Sequence, residues 1–206
     1  YLSFIPEKHD VLVGVMGTGI DIDLPMFDGF IYTNPYEIDG NGVDDDFNGV
    51  VDDVHGASFL YEGENTRRED FVVVSSNVVE DDSDHETRVA SIIASKQMPG
   101  VNFRGISDTP GKIKLVPIKV KQYTYDFWDL THLAAMKYAI SVLGVNSVGV
   151  DIINASFGDK VHFSYNPIDD EYKKFFSIGK IVVAAAGNVP YSFTQEPCEY
   201  SDSICV

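Results

Sequence analysis

The residues from Glu37 to Gly56, EIDGNGVDDDFNGVVDDVHG, hold seven acids and two asparagines. Oxygen ligands at alternate positions are what a loop needs to wrap a hard cation. Asp44, Asp46 and Asn48 fall at positions one, three and five of such a loop, the Val50 carbonyl at seven and Asp52 at nine. Gly49 stands at six, where the turn is sharpest. Asp53 is placed to give the bidentate carboxylate that His55, at twelve, cannot, and Glu37, Asp39 and Asn41 form a second set. With no thiolate nearby, the expected ion is Ca²⁺ rather than a transition metal. A solvated acidic loop is the alternative, but five carboxylates between Asp44 and Asp53 repel one another strongly without a cation.

A second place for chemistry is the end of VLVGVMGTGID, Val11 to Asp21. Five of the six residues from Val11 to Met16 are apolar and three are Val, which predicts a buried central strand of a parallel sheet. Functional loops follow the carboxyl ends of such strands, and here the residue at that end is Gly17. SDHE, Ser83 to Glu86, has the spacing of a capping box, with Val89, Ala90, Ile92 and Ile93 as the apolar stripe behind it. His85 therefore lies in the first turn of a helix.

The elements that must hold these groups alternate. An irregular lead-in runs to Asp10, Phe30 to Tyr32 is a short apolar patch, Glu62 to Asp70 is a polar loop and Phe71 to Val74 an edge strand. Lys112 to Val120, with Pro117 in it, reads as a strand nearer the sheet edge. Asp126 caps a helix that runs to about Leu143 with Leu133, Met136 and Ile140 on one face, and Gly144 ends it. Val150 to Phe157 is a buried strand. Asp169 and Asp170 open a helix with Tyr172, Phe175, Phe176 and Ile178 on its apolar side, and Gly179 is its C-cap. Ile181 to Asn188 and Ser203 to Val206 supply further strands. This order implies an α/β three-layer sandwich with a mainly parallel sheet, in a single domain.

A formal charge of −17 argues against nucleic acid and against an anionic membrane surface as partners. No apolar run reaches the roughly 18 residues of a membrane-spanning helix, and nothing at Tyr1 resembles a signal peptide. Cys198 and Cys205 either close a small disulfide loop, which implies an oxidising compartment, or remain reduced thiols.

Four segments in order resemble the subtilisin-like serine proteases, the subtilases of peptidase family S8. The strand at Val11 resembles their first signature. The acidic stretch resembles an insertion of large secreted bacterial members, DHETRVASIIAS from Asp84 resembles their His-Gly-Thr-His-Val-Ala-Gly helix start, and IINASFG and VVAAAGN resemble their substrate strand and oxyanion loop. The resemblance implies His85 as general base and Asn188 as oxyanion donor. It also implies Ser156, Phe157 and Gly158, with Ala185, Ala186 and Gly187, as edges of the substrate pocket, and a polypeptide as the partner.

The chain departs from that pattern at several points. Gly17 stands where the family has its catalytic aspartate, Leu24 and Arg88 replace histidines, and Asp84 and Glu86 replace the glycines flanking His85. The Gly-Thr-Ser-Met-Ala nucleophile motif occurs nowhere before Val206, so the chain is expected to be the N-terminal portion of the domain, with the remainder as a separate chain in one arrangement. Asp10, Asp21 and Asp23 do not share the position of Gly17. The expectation is a secreted, calcium-stabilised endopeptidase domain with severely impaired catalysis, or a pseudoprotease that binds peptides by β-augmentation.

Overall fold

The computed structural model describes residues 10–62, 72–120, 128–141, 149–160, 167–188, 195–200 and 202–206. The lead-in before Asp10, most of the polar loop, the Asp126 cap and the helix end at Leu143 and Gly144 lie outside these residues.

The strand predicted at Val11 is β1 (Val11–Gly17), fourth in a seven-stranded sheet of order β3-β2-β4-β1-β5-β7-β9. The others are β2 (Ala57–Glu62), β3 (Val72–Ser76), β4 (Ile113–Val120), β5 (Ile152–Ala155), β7 (Ile181–Ala184) and β9 (Ile204–Cys205). All pairings in this sheet are parallel except that of β2 with the edge strand β3. The short β6 (Asp159–Lys160) and β8 (Gln195–Glu196) pair antiparallel apart from it.

Because successive side chains of a strand point to opposite faces, β1 feeds two cores. Leu12 and Met16 join one with Val116, Ile118, Met136, Ile153 and Tyr172, under helices α2 (Trp128–Ser141) and α3 (Pro167–Ser177). Val13 and Val15 join the other with Phe27, Phe30, Ala90 and Leu115, under α1 (His85–Ile93). Helices on both faces of a mainly parallel sheet make the three-layer α/β sandwich that the alternation implied. Each large apolar side chain taken fully out of water contributes about 1.5–3 kcal/mol.

Several expectations change. The segment Ala57–Glu62 is a strand that the sequence pattern did not announce. β4 is an interior strand, not a peripheral one. Pro117 is accommodated there because its nitrogen edge faces Gly56, just before β2 begins to pair at Ala57, so no ladder donor is missed; a Cβ on Gly56 would lie 2.3 Å from the Pro117 carbonyl oxygen. On α2 the buried residues Thr131, His132, Ala135, Met136, Tyr138 and Ala139 wrap most of the helix, while Leu133 and Ile140 are only partly buried. On α3, Tyr172 and Phe175 are buried as expected, but Ile178 lies past the helix end and is exposed. Gly179 does cap it, with φ of 79° and its amide donating to the Phe176 carbonyl at 2.9 Å. Cys198 and Cys205 form a disulfide that ties β9 to the preceding turn. No helix among the described residues is long and apolar enough to cross a membrane.

Candidate functional site

β1 lies between β4 and β5, with β2 and β3 beyond β4 on one side and β7 and β9 beyond β5 on the other, and in such sheets the crevice at the carboxyl ends of the strands is where ligands bind. Gly17 ends β1, Ala155 ends β5, and Ser156, Phe157 and Gly158 follow directly. His85 is the first residue of α1, whose N-terminus points into this crevice. Its Nε2 lies 3.2 Å from the Ser156 carbonyl oxygen, and its side chain is 55% exposed. The base and the substrate strand inferred from the sequence are thus brought into contact. Ala185, Ala186, Gly187 and Asn188 follow β7, the neighbour of β5, at the same end of the sheet, with all but Ala185 exposed.

The start of α1 is built differently from a capping box. Asp84 is the N-cap residue, with φ of 60°, and its own side chain makes no capping hydrogen bond. Ser83 Oγ accepts the His85 amide at 3.4 Å and donates to Thr18 Oγ1 at 3.1 Å. The task of joining α1 to β1 falls to Asp81, which the sequence reading did not single out. Its carboxylate accepts from Thr18 Oγ1 at 2.6 Å and from the amides of Ser83 and Thr87, each at 2.9 Å. Burial raises the Asp81 carboxyl, but these hydrogen bonds outweigh it and hold it below its ordinary value. Two of these partners, Ser83 and Thr87, are close in sequence, but the tie to β1 through Thr18 is not, and that link leaves no local signal.

Glu86 does not reach back to the helix start. Its side chain is 1% exposed, and its Oε1 lies 3.7 Å from His85 Nε2. Burial, with Asp81 adding repulsion, pushes its carboxyl up to about 8. The other flanking acid, Asp84, pairs outward with Arg88 at 3.5 Å. Leu24 is exposed at the start of the 3₁₀ turn Pro25–Phe27.

In the acidic loop, Glu37, Asp46 and Asp53 bring one carboxylate oxygen each within 4.8 Å of one another. Asp46 and Asp53 are buried. Asn34 and Asn48 donate from Nδ2 to both of them, and the Tyr138 hydroxyl on α2 donates to Asp53 Oδ2. Glu37 Oε1 accepts the amides of Asp45 and Asp46, while its buried Oε2 has no hydrogen-bond partner among the described residues. Burial, with Asp46 and Glu37 adding repulsion, pushes Asp53 up to about 7 against the hydrogen bonds from Tyr138 and Asn48. Three carboxylates with one orphaned oxygen are a donor set suited to a hard divalent cation.

Of the ligands expected from spacing, Asp46 and Asp53, with Glu37 of the second set, are brought together. Asp44 closes its own turn on the amides of Asn48 and Gly49, and Asp52 reaches back across the loop to those of Asn41 and Gly42. The side-chain oxygens of Asn41 and Asn48 accept the amides of Val43 and Val50, Val50 is buried among apolar residues, and Asp39 is exposed. His55 donates Nδ1–H to the Tyr32 carbonyl at 2.8 Å. Asn34 and Tyr138 were missed because neither stands in the acidic run.

A model of the subtilase family, peptidase S8, matches residues 8–206. Among solved structures, the chain is similar to a psychrophilic protease at 17% identity and a TM-score of 0.59, over 96% of this chain and 53% of that one. It is also similar to a mutant of the protease domain of PatA at 20% identity and a TM-score of 0.56, over 99% of this chain and 59% of that one. These likenesses bear on the fold. The chain spans little more than half the length of the solved structures it matches, and no curated protein matches it.

Proposed function

The chain belongs to the subtilase family, and from that premise we propose that it is the N-terminal portion of a subtilisin-like serine endopeptidase domain acting on polypeptides. His85 is the general base, Asn188 the oxyanion donor, and the Ser156–Gly158 and Ala185–Gly187 segments are the edges that hold an extended substrate. The serine nucleophile has to come from outside residues 1–206, which contain no Gly-Thr-Ser-Met-Ala motif. Gly17 carries no carboxylate, so catalysis is impaired. The observation that carries this reading is the contact of His85 Nε2 with the Ser156 carbonyl, 3.2 Å apart, at the carboxyl ends of β1 and β5.

Ca²⁺ held by Glu37, Asp46 and Asp53 stabilises the acidic loop against the sheet, and the Cys198–Cys205 disulfide fits secretion into an oxidising compartment. The bound ion supplies charge neutralisation only and lies outside the hydrolytic step.

Fluorogenic peptide hydrolysis by the protein carrying both this chain and its nucleophile segment tests the reading. The expected rate lies up to roughly 10⁴-fold below that of an intact Ser-His-Asp triad, and His85→Ala removes it. Hydrolysis equal in both proteins would overturn the assignment of His85. The departures at Gly17, Leu24, Asp84 and Arg88 favour a second reading, a pseudoprotease that binds peptides along the Ser156–Gly158 edge. Peptide binding by fluorescence anisotropy with no turnover is its signature.

A further inference from the structure

Tyr32 has no part in the reading above, yet its phenol lies beside the acidic loop. The residue is 6% exposed, and its hydroxyl is buried with no hydrogen-bond partner among the described residues. Burying an unpaired hydroxyl is unfavourable, so its position calls for an explanation.

The surroundings place this hydroxyl at the carboxylate cluster. The Tyr32 amide donates to the Leu115 carbonyl of β4 at 2.9 Å, and its side chain belongs to the α2-side core that also holds Val50 and Tyr138. Burial, then the charges of Asp53 and Asp46, hold the Tyr32 phenol well above its ordinary range. Burial, then Asp53 and in lesser part Tyr32, act in the same sense on Tyr138, whose hydroxyl donates to Asp53. Tyr32 therefore stands close to both acids and remains neutral.

The other polar groups of the cluster are paired with one another. Asn34 and Asn48 donate to Asp46 and Asp53, and Tyr138 donates to Asp53. The Tyr32 hydroxyl and Glu37 Oε2 are the two buried oxygens there without a partner among the described residues. Two such oxygens beside three carboxylates point to one shared partner that brings both positive charge and hydrogen. A hydrated divalent cation is that kind of partner. Ca²⁺ takes roughly six to eight oxygens, so three carboxylates leave part of its shell to water, and water on a cation is a strong donor.

We propose that Tyr32 is an outer-sphere partner of the cation site: its hydroxyl oxygen accepts a hydrogen bond from a water carried by Ca²⁺ held by Glu37, Asp46 and Asp53. The role rests on the Ca²⁺ reading above. A neutral phenol suits it, because a fourth anion would add to the repulsion among three carboxylates. Its backbone bond to β4 ties the ion to the sheet, as Tyr138 ties it to α2.

The test uses the protein that carries both this chain and its nucleophile segment. Tyr32→Phe, which removes only the hydroxyl, is compared with the parent and with Tyr36→Phe, which alters the exposed phenol nearby. Ca²⁺ affinity is read by isothermal titration, and urea unfolding is followed in chelator and at one saturating Ca²⁺ concentration. Tyr32→Phe is expected to bind Ca²⁺ roughly tenfold more weakly. By linkage it then gains about 1.4 kcal/mol less stability from the ion than the parent does. In chelator it is expected to be at least as stable as the parent, because an unpaired hydroxyl has been removed. A hydroxyl with a merely structural role would cost stability in chelator too, and that result overturns the proposal. Unchanged Ca²⁺ affinity in Tyr32→Phe, or an equal loss in Tyr36→Phe, also overturns it. Binding that is lost in Asp53→Asn but intact in Tyr32→Phe sinks the outer contact and leaves the Ca²⁺ reading standing, whereas a parent that binds no Ca²⁺ sinks both.

Discussion

Glu86 and His132 show how single buried groups set the response of this protein to pH. The Glu86 carboxyl titrates near 8 in the fold against an ordinary value of 4.5, because burial and then Asp81 disfavour its anion. Between those values the folded chain holds a proton that the unfolded chain has released, so the contribution is complete below pH 4.5 and is lost as pH rises towards 8. The slope is about 1.4 kcal/mol per pH unit. Urea unfolding of Glu86→Gln should therefore lose less stability than the parent between those pH values, and equal losses would contradict the burial of a protonated carboxyl. His132 acts in the opposite sense. Burial pushes it down to about 3 from 6.5, so its contribution is complete above 6.5 and is lost as pH falls towards 3. At this scale the sequence pointed to His85 and Gly17, which the structure places at the start of α1 and the end of β1. It treated Glu86 as one more departure, since nothing in a linear pattern shows a side chain turning back beneath its own helix.

Among the elements, those with a strong local pattern were legible. β1 is an apolar run broken only by Gly14, and α3 carries acids at its start and Gly179 at its end. β2 was hidden because it directly follows the acidic loop, and its register comes from pairing with β4. The loop itself was legible in composition but not in geometry. Spacing-based ligands assume that the chain wraps one centre, whereas Asp44 spends both oxygens on the amides of its own turn, as Asp commonly does, and Asp52 spends both on the distant amides of Asn41 and Gly42. Isothermal titration with Ca²⁺ distinguishes the two arrangements. Asp46→Asn or Asp53→Asn should weaken binding by tenfold or more, roughly the loss of one carboxylate ligand. Asp44→Asn or Asp52→Asn should instead cost about 1 kcal/mol of stability with the ion still bound. Loss of binding dominated by Asp44 and Asp52 would restore the spacing-based set.

For the molecule as a whole, the family was readable because four motifs stand in order along a fold whose alternation of strands and helices is itself diagnostic. Their convergence on one crevice follows from the strand order, which places the ends of β1 and β5 side by side beneath the start of α1. The unread part was the packing across that crevice, where Glu86 fills the volume that a side chain at position 17 would take. The central claim is that Gly17 and the buried Glu86 are coupled in this packing. Its most direct test is a double-mutant cycle in unfolding free energy over Gly17→Asp, Glu86→Ala and the pair. Any backbone cost at Gly17, where φ is 158°, enters both arms and cancels. Gly17→Asp is expected to be strongly destabilising beside Glu86 and much less so in the Glu86→Ala background, with a coupling of about 2 kcal/mol. The same cost in both backgrounds would contradict the account.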